Sequence, residues 1–293
     1  MKNTKEIVNQ LNTVGWYRTN VKDVLDVEGM SLFNNNIDFF NKMLEDDFIQ
    51  KQLYDVQTNP VARMEASGGK PFELTHYAYL NKPLTLNNSS FIKLFLNDFF
   101  TDIAVDFLEV SNPKILNVIA YLSAWNYKYG RMHSQNWHRD REDFKLLKFF
   151  IYHGDVDEHT GPLEYVPESF CGGNMITNNG KDKYWDYASD DENRANPNQQ
   201  ELELCEKNYI SFTGKAGDII MTNNSGFHRG AFLKDGSRVR VTSHALFIRP
   251  DAEMIKNPSL GGPTHFNHDN KINYIDFNSD EYKNLGEKTK HFL

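Results

Sequence analysis

Apolar residues recur at helical spacing over the N-terminal part of the chain. Thr4 is placed to begin a helix that carries Ile7, Leu11 and Val14 on one face and ends near Gly15. Two further segments, 37–56 and 91–110, have rows of large apolar residues at the same spacing: Phe39, Phe40, Met43, Leu44, Phe48 and Leu53, then Phe95, Phe99, Ile103, Phe107 and Leu108. Such rows are typical of core packing. Residues 1–113 are therefore predicted to form a mainly helical support.

From residue 114 onward the pattern changes to short apolar segments rich in β-branched residues. These segments cover 115–122, 146–152, 210–212 and 238–248, and turns rich in Gly, Pro and Asn separate them. Several strands of this kind fit a double-sheet jelly roll, the cupin-like double-stranded β-helix. The predicted fold is mostly β with flanking helices, the jelly-roll core being braced by the N-terminal helices.

The same pattern predicts the domain organisation. We expect one domain over residues 1–293, with the jelly-roll core at 114–250 and a polar C-terminal extension at 251–293. A long polar insert, 172–200, interrupts the core and carries Trp185. Loops of this length are often functional, so we expect the insert to act as a lid at the mouth of a cavity.

Composition narrows the function classes. A net charge of −8 argues against a duplex nucleic-acid partner, which requires a basic face. The two cysteines, Cys171 and Cys205, argue against a disulfide scaffold and a cysteine-rich zinc site, and they favour a reducing compartment. No apolar run approaches the ~20 residues of a membrane helix, and the first residues lack the apolar run of a signal peptide. We therefore expect a soluble, cytoplasmic protein.

The candidate chemistry lies in a His-x-Asp motif, His138 and Asp140, followed by a distant His228. Residues two apart in an extended segment point the same way, so both ends of the motif can bind one metal while Arg139 faces elsewhere. Two imidazoles and one carboxylate are the usual ligands of non-heme Fe(II) oxygenases. A cation further along the chain, such as Arg238, can then hold an acidic cosubstrate.

A second His-x-Asp motif, His153 and Asp155, competes with the first. His153 ends an apolar run and enters the segment 154–158, whose composition is typical of a turn. We therefore favour His138 as the metal ligand.

The residues around the motif resemble the phytanoyl-CoA dioxygenase family. The segment 155–169, DVDEHTGPLEYVPES, resembles the family's DVDxxNGPLxxVPGSH signature. The segments 217–221 and 238–244 resemble the family's Gly-Asp turn and its final strand, and the resemblance spans 115–249. It implies an Fe(II) enzyme that uses 2-oxoglutarate and O2 as cosubstrates, with His138, Asp140 and His228 as metal ligands and catalytic residues.

The resemblance also implies cosubstrate residues, whereas the substrate candidates below are chosen by their position in the sequence alone. Glu168 and Phe170 stand where the family has glycine and histidine. Arg238 begins the segment that resembles the final strand and is our choice for binding 2-oxoglutarate, while Arg240, two residues further on, is the alternative. The remaining candidates are Asn126 for the cosubstrate and, for the substrate, Arg139, Trp125, Tyr127 and Trp185.

The implied reaction is hydroxylation of a small molecule with release of succinate and CO2. The carboxylate of Asp140 occupies the ligand position that chloride takes in related halogenases, which favours hydroxylation. Two alternatives remain open: a cupin-like metal isomerase or dioxygenase that does not use 2-oxoglutarate, and a non-catalytic jelly-roll binding protein. Neither of them requires the arginine.

Overall fold

A computed structural model of the chain describes residues 4–58, 73–75, 90–125, 131, 133–140, 142–175 and 197–253. The helices in these ranges are α1 (Thr4–Val14), α2 (Val21–Val24), α3 (Val27–Glu45), α4 (Asp47–Thr58), α5 (Ser90–Phe95), α6 (Asp98–Leu108) and α7 (Gln199–Asn208). The strands are β1 (Trp16–Asn20), β2 (Glu73–Thr75), β3 (Lys114–Ser123), β4 (Leu147–Tyr152), β5 (Leu163–Tyr165), β6 (Ile210–Phe212), β7 (Asp218–Asn223), β8 (His228–Gly230) and β9 (Arg240–Ile248).

The strands form two sheets that face each other. The major sheet has the order β1-β7-β4-β9-β3-β2, the minor sheet has the order β6-β5-β8, and the neighbouring strands in both are antiparallel. Side chains of both sheets meet between them: the Tyr152 hydroxyl of β4 donates to the Phe212 carbonyl of β6 at 2.9 Å and accepts from the Leu163 amide of β5 at 3.1 Å. This architecture is the predicted double-stranded β-helix.

Strand alternation separates two environments on the major sheet. The residues of β9 that face the helices are mostly apolar, as Val241, Ala245 and Phe247 are, whereas Arg240, Thr242 and His244 alternate with them and face the minor sheet. The large core on the helical side joins the major sheet to α1, α3, α5 and α6. The prediction that N-terminal helices brace the sheet is thus confirmed.

Two helices predicted as continuous are each divided. The segment 37–56 divides at Asp46, whose side chain accepts from the Ile49 amide at 3.0 Å and begins α4. The segment 91–110 divides at Asn97, whose side chain accepts from the Phe99 amide at 3.1 Å and begins α6. Asp and Asn side chains satisfy amides that have no partner within the helix, so they favour a new start even within a continuous apolar pattern.

Two of the elements that the apolar pattern did not indicate support the major sheet and the candidate site region, namely β1 and α7. β1 lies at the edge of the major sheet, where Arg18 pairs with Asp218 of β7 at 2.6 Å. α7 begins at the end of the segment predicted as an insert, and Asn198 and Glu201 form a reciprocal capping box at its start. Insert residues 176–196 lie outside the described residues, so the lid remains a prediction. Among the described helices, none combines the length and apolarity needed to span a membrane.

The turn that departs from the family signature keeps a conformation that favours glycine. Glu168 has φ of 60°, in the left-handed region. This is the position where the resembling family has glycine. Glu168 therefore adopts a conformation that glycine reaches without strain, at the position where the signature has glycine.

His153 belongs to the helical side of the major sheet. It follows β4 in register with Phe149 and Ile151, and its ring contacts those of Phe33, Phe40 and Phe91. Its Nε2 lies 2.8 Å from the Ser243 hydroxyl. Burial lowers the pKa of His153 to about 3. His153 is therefore part of the core, on the opposite face of β4 from the space between the sheets, whereas Asp155 of the same motif lies at the surface and pairs with Lys215 at 2.8 Å.

The buried imidazole predicts a specific dependence of stability on pH. In the unfolded chain His153 binds a proton below its ordinary pKa of about 6.5, whereas in the folded chain it stays neutral down to about pH 3. The free energy of unfolding should therefore fall as the pH drops through this window. Replacing His153→Gln should make the slope shallower by up to one proton, about 1.4 kcal/mol per pH unit.

Urea denaturation between pH 7 and pH 4 measures this slope. His159→Gln is the matched control, because the side chain of His159 is 56% exposed. Parallel profiles for wild type and His153→Gln would show that His153 does not carry the dependence.

Candidate metal centre

A short antiparallel bridge brings the two halves of the candidate site together. The His138 amide donates to the His228 carbonyl at 3.1 Å, and the His228 amide donates to the His138 carbonyl at 3.0 Å. One step further, the Asp140 amide donates to the Asn224 carbonyl at 3.0 Å. The segment that carries the His-x-Asp motif therefore lies beside β8 at the edge of the minor sheet, and alternation turns all three candidate ligands to the same face.

The three side chains converge on one point. Asp140 Oδ1 lies 3.5 Å from His228 Nε2 and 3.9 Å from His138 Nε2. Each residue offers one ligand atom within 4.8 Å of the other two, and they form the group that could hold a metal ion among the described residues. Two imidazole nitrogens and one carboxylate oxygen are the donor set of the 2-His-1-carboxylate facial triad.

Backbone carbonyls set the orientation of both imidazoles. His138 Nδ1 lies 2.9 Å from the Asn136 carbonyl, and His228 Nδ1 lies 2.9 Å from the Gly226 carbonyl. A carbonyl only accepts, so in each neutral ring Nδ1 carries the hydrogen and Nε2 keeps its lone pair. The Asn224 amide nitrogen, 3.0 Å from His228 Nε2, is a matching donor. Both rings therefore present Nε2 to a metal.

The two oxygens of Asp140 have different partners. Oδ2 accepts from Lys148 Nζ at 2.9 Å and from the Asn224 amide at 2.7 Å, while Oδ1 faces the histidines. The Thr222 hydroxyl donates to the Asn224 side-chain oxygen and so orients its amide. Burial by itself raises the pKa of Asp140, but the positive charge of Lys148 and the contacts with the histidines outweigh it and hold that pKa well below its usual range. The carboxylate is ionised and ready to bind a cation.

Arg139, between the two motif ligands, faces the opposite side. Its guanidinium carbon lies 3.4 Å from the centroid of the Phe227 ring, and its Nη2 donates to the Ser169 carbonyl at 3.4 Å. Burial lowers the pKa of Arg139 to about 9. This placement supports a packing role behind the metal ligands and does not favour the predicted contact with substrate.

An ionic network on the same outer face, buried at Arg229 and Glu164 and exposed at Glu206, was not predicted from the sequence. Arg229 Nη1 donates to Glu206 Oε1 of α7 at 2.6 Å, and its Nε donates to Glu164. Glu206 also accepts from Trp137 Nε1 at 2.9 Å, and the guanidinium of Arg229 lies 4.0 Å from the Trp137 ring centroid. Trp137 and Arg229 each precede or follow a candidate ligand, so α7 braces both segments from behind. Strand alternation could have predicted this placement, because residues next to inward-facing ligands face outward.

Arg240 lies on the inward face of β9, in the space between the sheets. Its Nη2 donates to the Ser123 hydroxyl of β3 at 3.1 Å, and its Nη1 contacts the Gly161 carbonyl. A Cβ placed on Gly230 would lie 3.5 Å from Arg240 Nη1. Gly230 is two residues beyond His228 on β8, so the guanidinium approaches the strand that carries the third ligand. Arg240 Nε and the Thr242 hydroxyl are buried without a hydrogen-bond partner among the described residues.

Arg238 lies at the surface, in the loop before β9. Its side chain is 60% exposed and pairs with Asp157 at 2.9 Å. The structure therefore does not bring the favoured arginine to the three candidate ligands, and it places the alternative, Arg240, in the space between the sheets. Trp125 is half-buried directly after β3. Asn126, Tyr127 and Trp185 lie outside the described residues.

Comparisons with known proteins relate the chain to others by fold. No protein-family model and no curated protein matches the sequence. Among solved structures, the epimerase SnoN in complex with Fe3+, alpha ketoglutarate and nogalamycin RO has a TM-score of 0.53 and 12% identity, with 95% of this chain and 96% of that chain covered. AviO1 from Streptomyces viridochromogenes has a TM-score of 0.48 and 13% identity, with 86% of this chain and 97% of that chain covered. EctD from S. alaskensis, solved with 2-oxoglutarate and 5-hydroxyectoine, has a TM-score of 0.47 and 15% identity, with 85% of this chain and 77% of that chain covered. The chain shares its overall fold with SnoN.

The geometry predicts that metal binding depends on both histidines. The wild-type protein should bind one Fe(II) per chain. His138→Ala or His228→Ala should raise the dissociation constant for Fe(II), because only two protein ligands remain. The increase should exceed the roughly 10–100-fold that follows when a residue that only supports a ligand is lost. Anaerobic calorimetric titration with Fe(II) measures the loss. His153→Gln is the histidine control and should bind as wild type. Full affinity in His138→Ala together with loss in His153→Gln would move the site to the other motif.

Proposed function

We propose that this protein is an Fe(II)- and 2-oxoglutarate-dependent oxygenase that acts on a small molecule. The observation that carries the proposal is the convergence of His138, Asp140 and His228 on one point, with the buried guanidinium of Arg240 on the same side of the minor sheet. The shared fold with SnoN is compatible with this proposal. The residues supply a metal site and a cation for an acidic cosubstrate within one cavity.

The donor set fits Fe(II). His138 and His228 would hold the ion through Nε2, and Asp140 would hold it through Oδ1, since these atoms already face one another. Three protein ligands on one face of an octahedral ion leave three positions for other molecules. With Fe(II) bound, such a site supplies O2 activation coupled to oxidative decarboxylation of 2-oxoglutarate.

Arg240 is our candidate for binding the distal carboxylate of 2-oxoglutarate. Its guanidinium is buried between the sheets, and its Nε has no hydrogen-bond partner among the described residues. These features suit the binding of a carboxylate, whose oxygens accept hydrogen bonds. Arg238 is exposed and already paired with Asp157. The hydrogen bonds that Arg240 donates to the Ser123 hydroxyl and the Gly161 carbonyl orient its guanidinium without neutralising its charge.

Three aromatic side chains between the sheets would help to exclude water from the site. The rings of Tyr121, Phe150 and His244 pack edge-to-face, with centroids 5.6 and 5.5 Å apart, between the arginine end and the metal end of β9. Packed aromatic rings exclude water, which limits side reactions of a reactive intermediate.

We propose hydroxylation as the outcome, supported by the carboxylate of Asp140 at the third ligand position and by the resemblance to phytanoyl-CoA dioxygenases. Both cysteines are free thiols, which supports a reducing, cytoplasmic compartment.

The cosubstrate assignment predicts different effects for the two arginines. Arg240→Ala should raise the dissociation constant for 2-oxoglutarate by about 10- to 100-fold, because a hydrogen-bonded charge pair contributes roughly 1.5–3 kcal/mol. Fe(II) binding should be retained. Arg238→Ala should have little effect, since an exposed ion pair contributes roughly 0–1 kcal/mol.

The measurement is anaerobic titration of the Fe(II) protein with 2-oxoglutarate, followed by the weak charge-transfer absorption of a bidentate chelate. Succinate formation in air gives a second readout. The reverse ranking would assign the carboxylate to Arg238. Absence of the absorption in wild type would remove 2-oxoglutarate from the proposal and favour a metal isomerase or a dioxygenase without this cosubstrate.

A further inference from the structure

Lys148 places a second cation in the space between the sheets, next to the candidate metal ligands. It lies on β4, on the inward face, in register with Thr222 of β7 and Leu246 of β9. Its Nζ lies 2.9 Å from Asp140 Oδ2, and both side chains are only 13% exposed. Desolvating two charges costs several kcal/mol each, so a buried pair of this kind is weak evidence for a contribution to stability. Its position beside a metal ligand suggests a different role.

Because of this contact, the two oxygens of the Asp140 carboxylate have different partners. Oδ2 accepts from both Lys148 and Asn224, while Oδ1 is directed at His138 Nε2 and His228 Nε2. A free carboxylate can bind a metal through one oxygen or through both. With two donors on Oδ2, only Oδ1 is presented to the ion.

Whether Asp140 binds through one oxygen or two determines how many coordination positions stay open. An octahedral ion has six, and the three protein ligands leave three open when the carboxylate binds through one oxygen. A chelating cosubstrate needs two of these and O2 needs the third. A carboxylate that binds through both oxygens would occupy one of them.

We propose that Lys148 is a positioning residue that keeps Asp140 a one-oxygen ligand and so preserves the third open position; the proposal rests on the metal site of the proposed function. The neutral Asn224 amide also contacts Oδ2, but it is shared with His228 Nε2 at 3.0 Å. The charged hydrogen bond from Lys148 is the stronger of the two types of contact. It comes from a different strand, so it holds the carboxylate across the gap between the sheets.

The test uses Mn(II) in place of iron and needs neither 2-oxoglutarate nor turnover. Water-proton relaxation of the Mn(II)-loaded protein reports the number of exchangeable waters on the ion. Oxalate is the chelating probe, because it occupies two adjacent positions and is too short to need Arg240. We expect Lys148→Met to lose one exchangeable water and to bind oxalate at least about 10-fold more weakly, while Mn(II) remains bound.

Conservative variants separate positioning from stability. Lys148→Arg keeps a charged donor and should restore the relaxation signal and the oxalate affinity of wild type. Lys148→Gln keeps a neutral donor and should fall between wild type and Lys148→Met, so the order can be tested from Arg and Gln alone if the Met variant does not fold. Lys145→Met is the matched control, since it removes a lysine paired with Glu109 at 2.8 Å and away from the candidate ligands.

Two results would overturn the proposal. One is a folded Lys148→Met protein with the water count and oxalate affinity of wild type. The other is an equal loss in Lys148→Arg and Lys148→Gln, which would indicate packing alone. Failure of 2-oxoglutarate to bind wild type would leave this test unaffected, because Mn(II) and oxalate report the metal site directly.

Discussion

The candidate site depends on the pair of backbone hydrogen bonds between His138 and His228. These bonds, at 3.1 and 3.0 Å, hold the His-x-Asp segment beside β8 and set the register of the two segments. In a strand pair, a shift by one residue turns every side chain to the other face. Such a shift of the His-x-Asp segment would turn His138 and Asp140 away from His228 and present Arg139 in their place. The backbone pairing therefore decides whether a metal site exists at all.

The same alternation divides the neighbouring residues between chemistry and support. The inward residues are the candidate ligands, whereas Trp137 and Arg229 face outward and bind Glu206 of α7. The polar atoms of Trp137 and Arg229 are buried, and buried polar groups are stable only when their hydrogen bonds are satisfied. The network therefore fixes the two ligand segments relative to α7 without using any atom that a metal would need. A rigid outer layer of this kind restricts the ligands to one geometry.

Four buried cations have separate roles that their contacts distinguish. Arg139 stacks on Phe227, and Arg229 is neutralised by two glutamates. Lys148 binds the one carboxylate that also faces the histidines, and Arg240 faces the cavity with a buried Nε that has no partner among the described residues. The first two stabilise the outer face. The last two are the cations that the proposed chemistry uses, one at each end of the inward face of the major sheet.

The sequence determined what depends on local spacing. The helical period of α1, the strands at 114–123 and 240–248, and the shared direction of His138 and Asp140 all follow from a regular backbone. The sequence did not distinguish Arg238 from Arg240, because both have the same parity in an extended segment and only the start of β9 decides which is buried. It also gave no signal for Lys148 or Glu206, whose partners are distant in the chain. Their roles were decided by tertiary structure, because strand register and helix placement determine which charges meet.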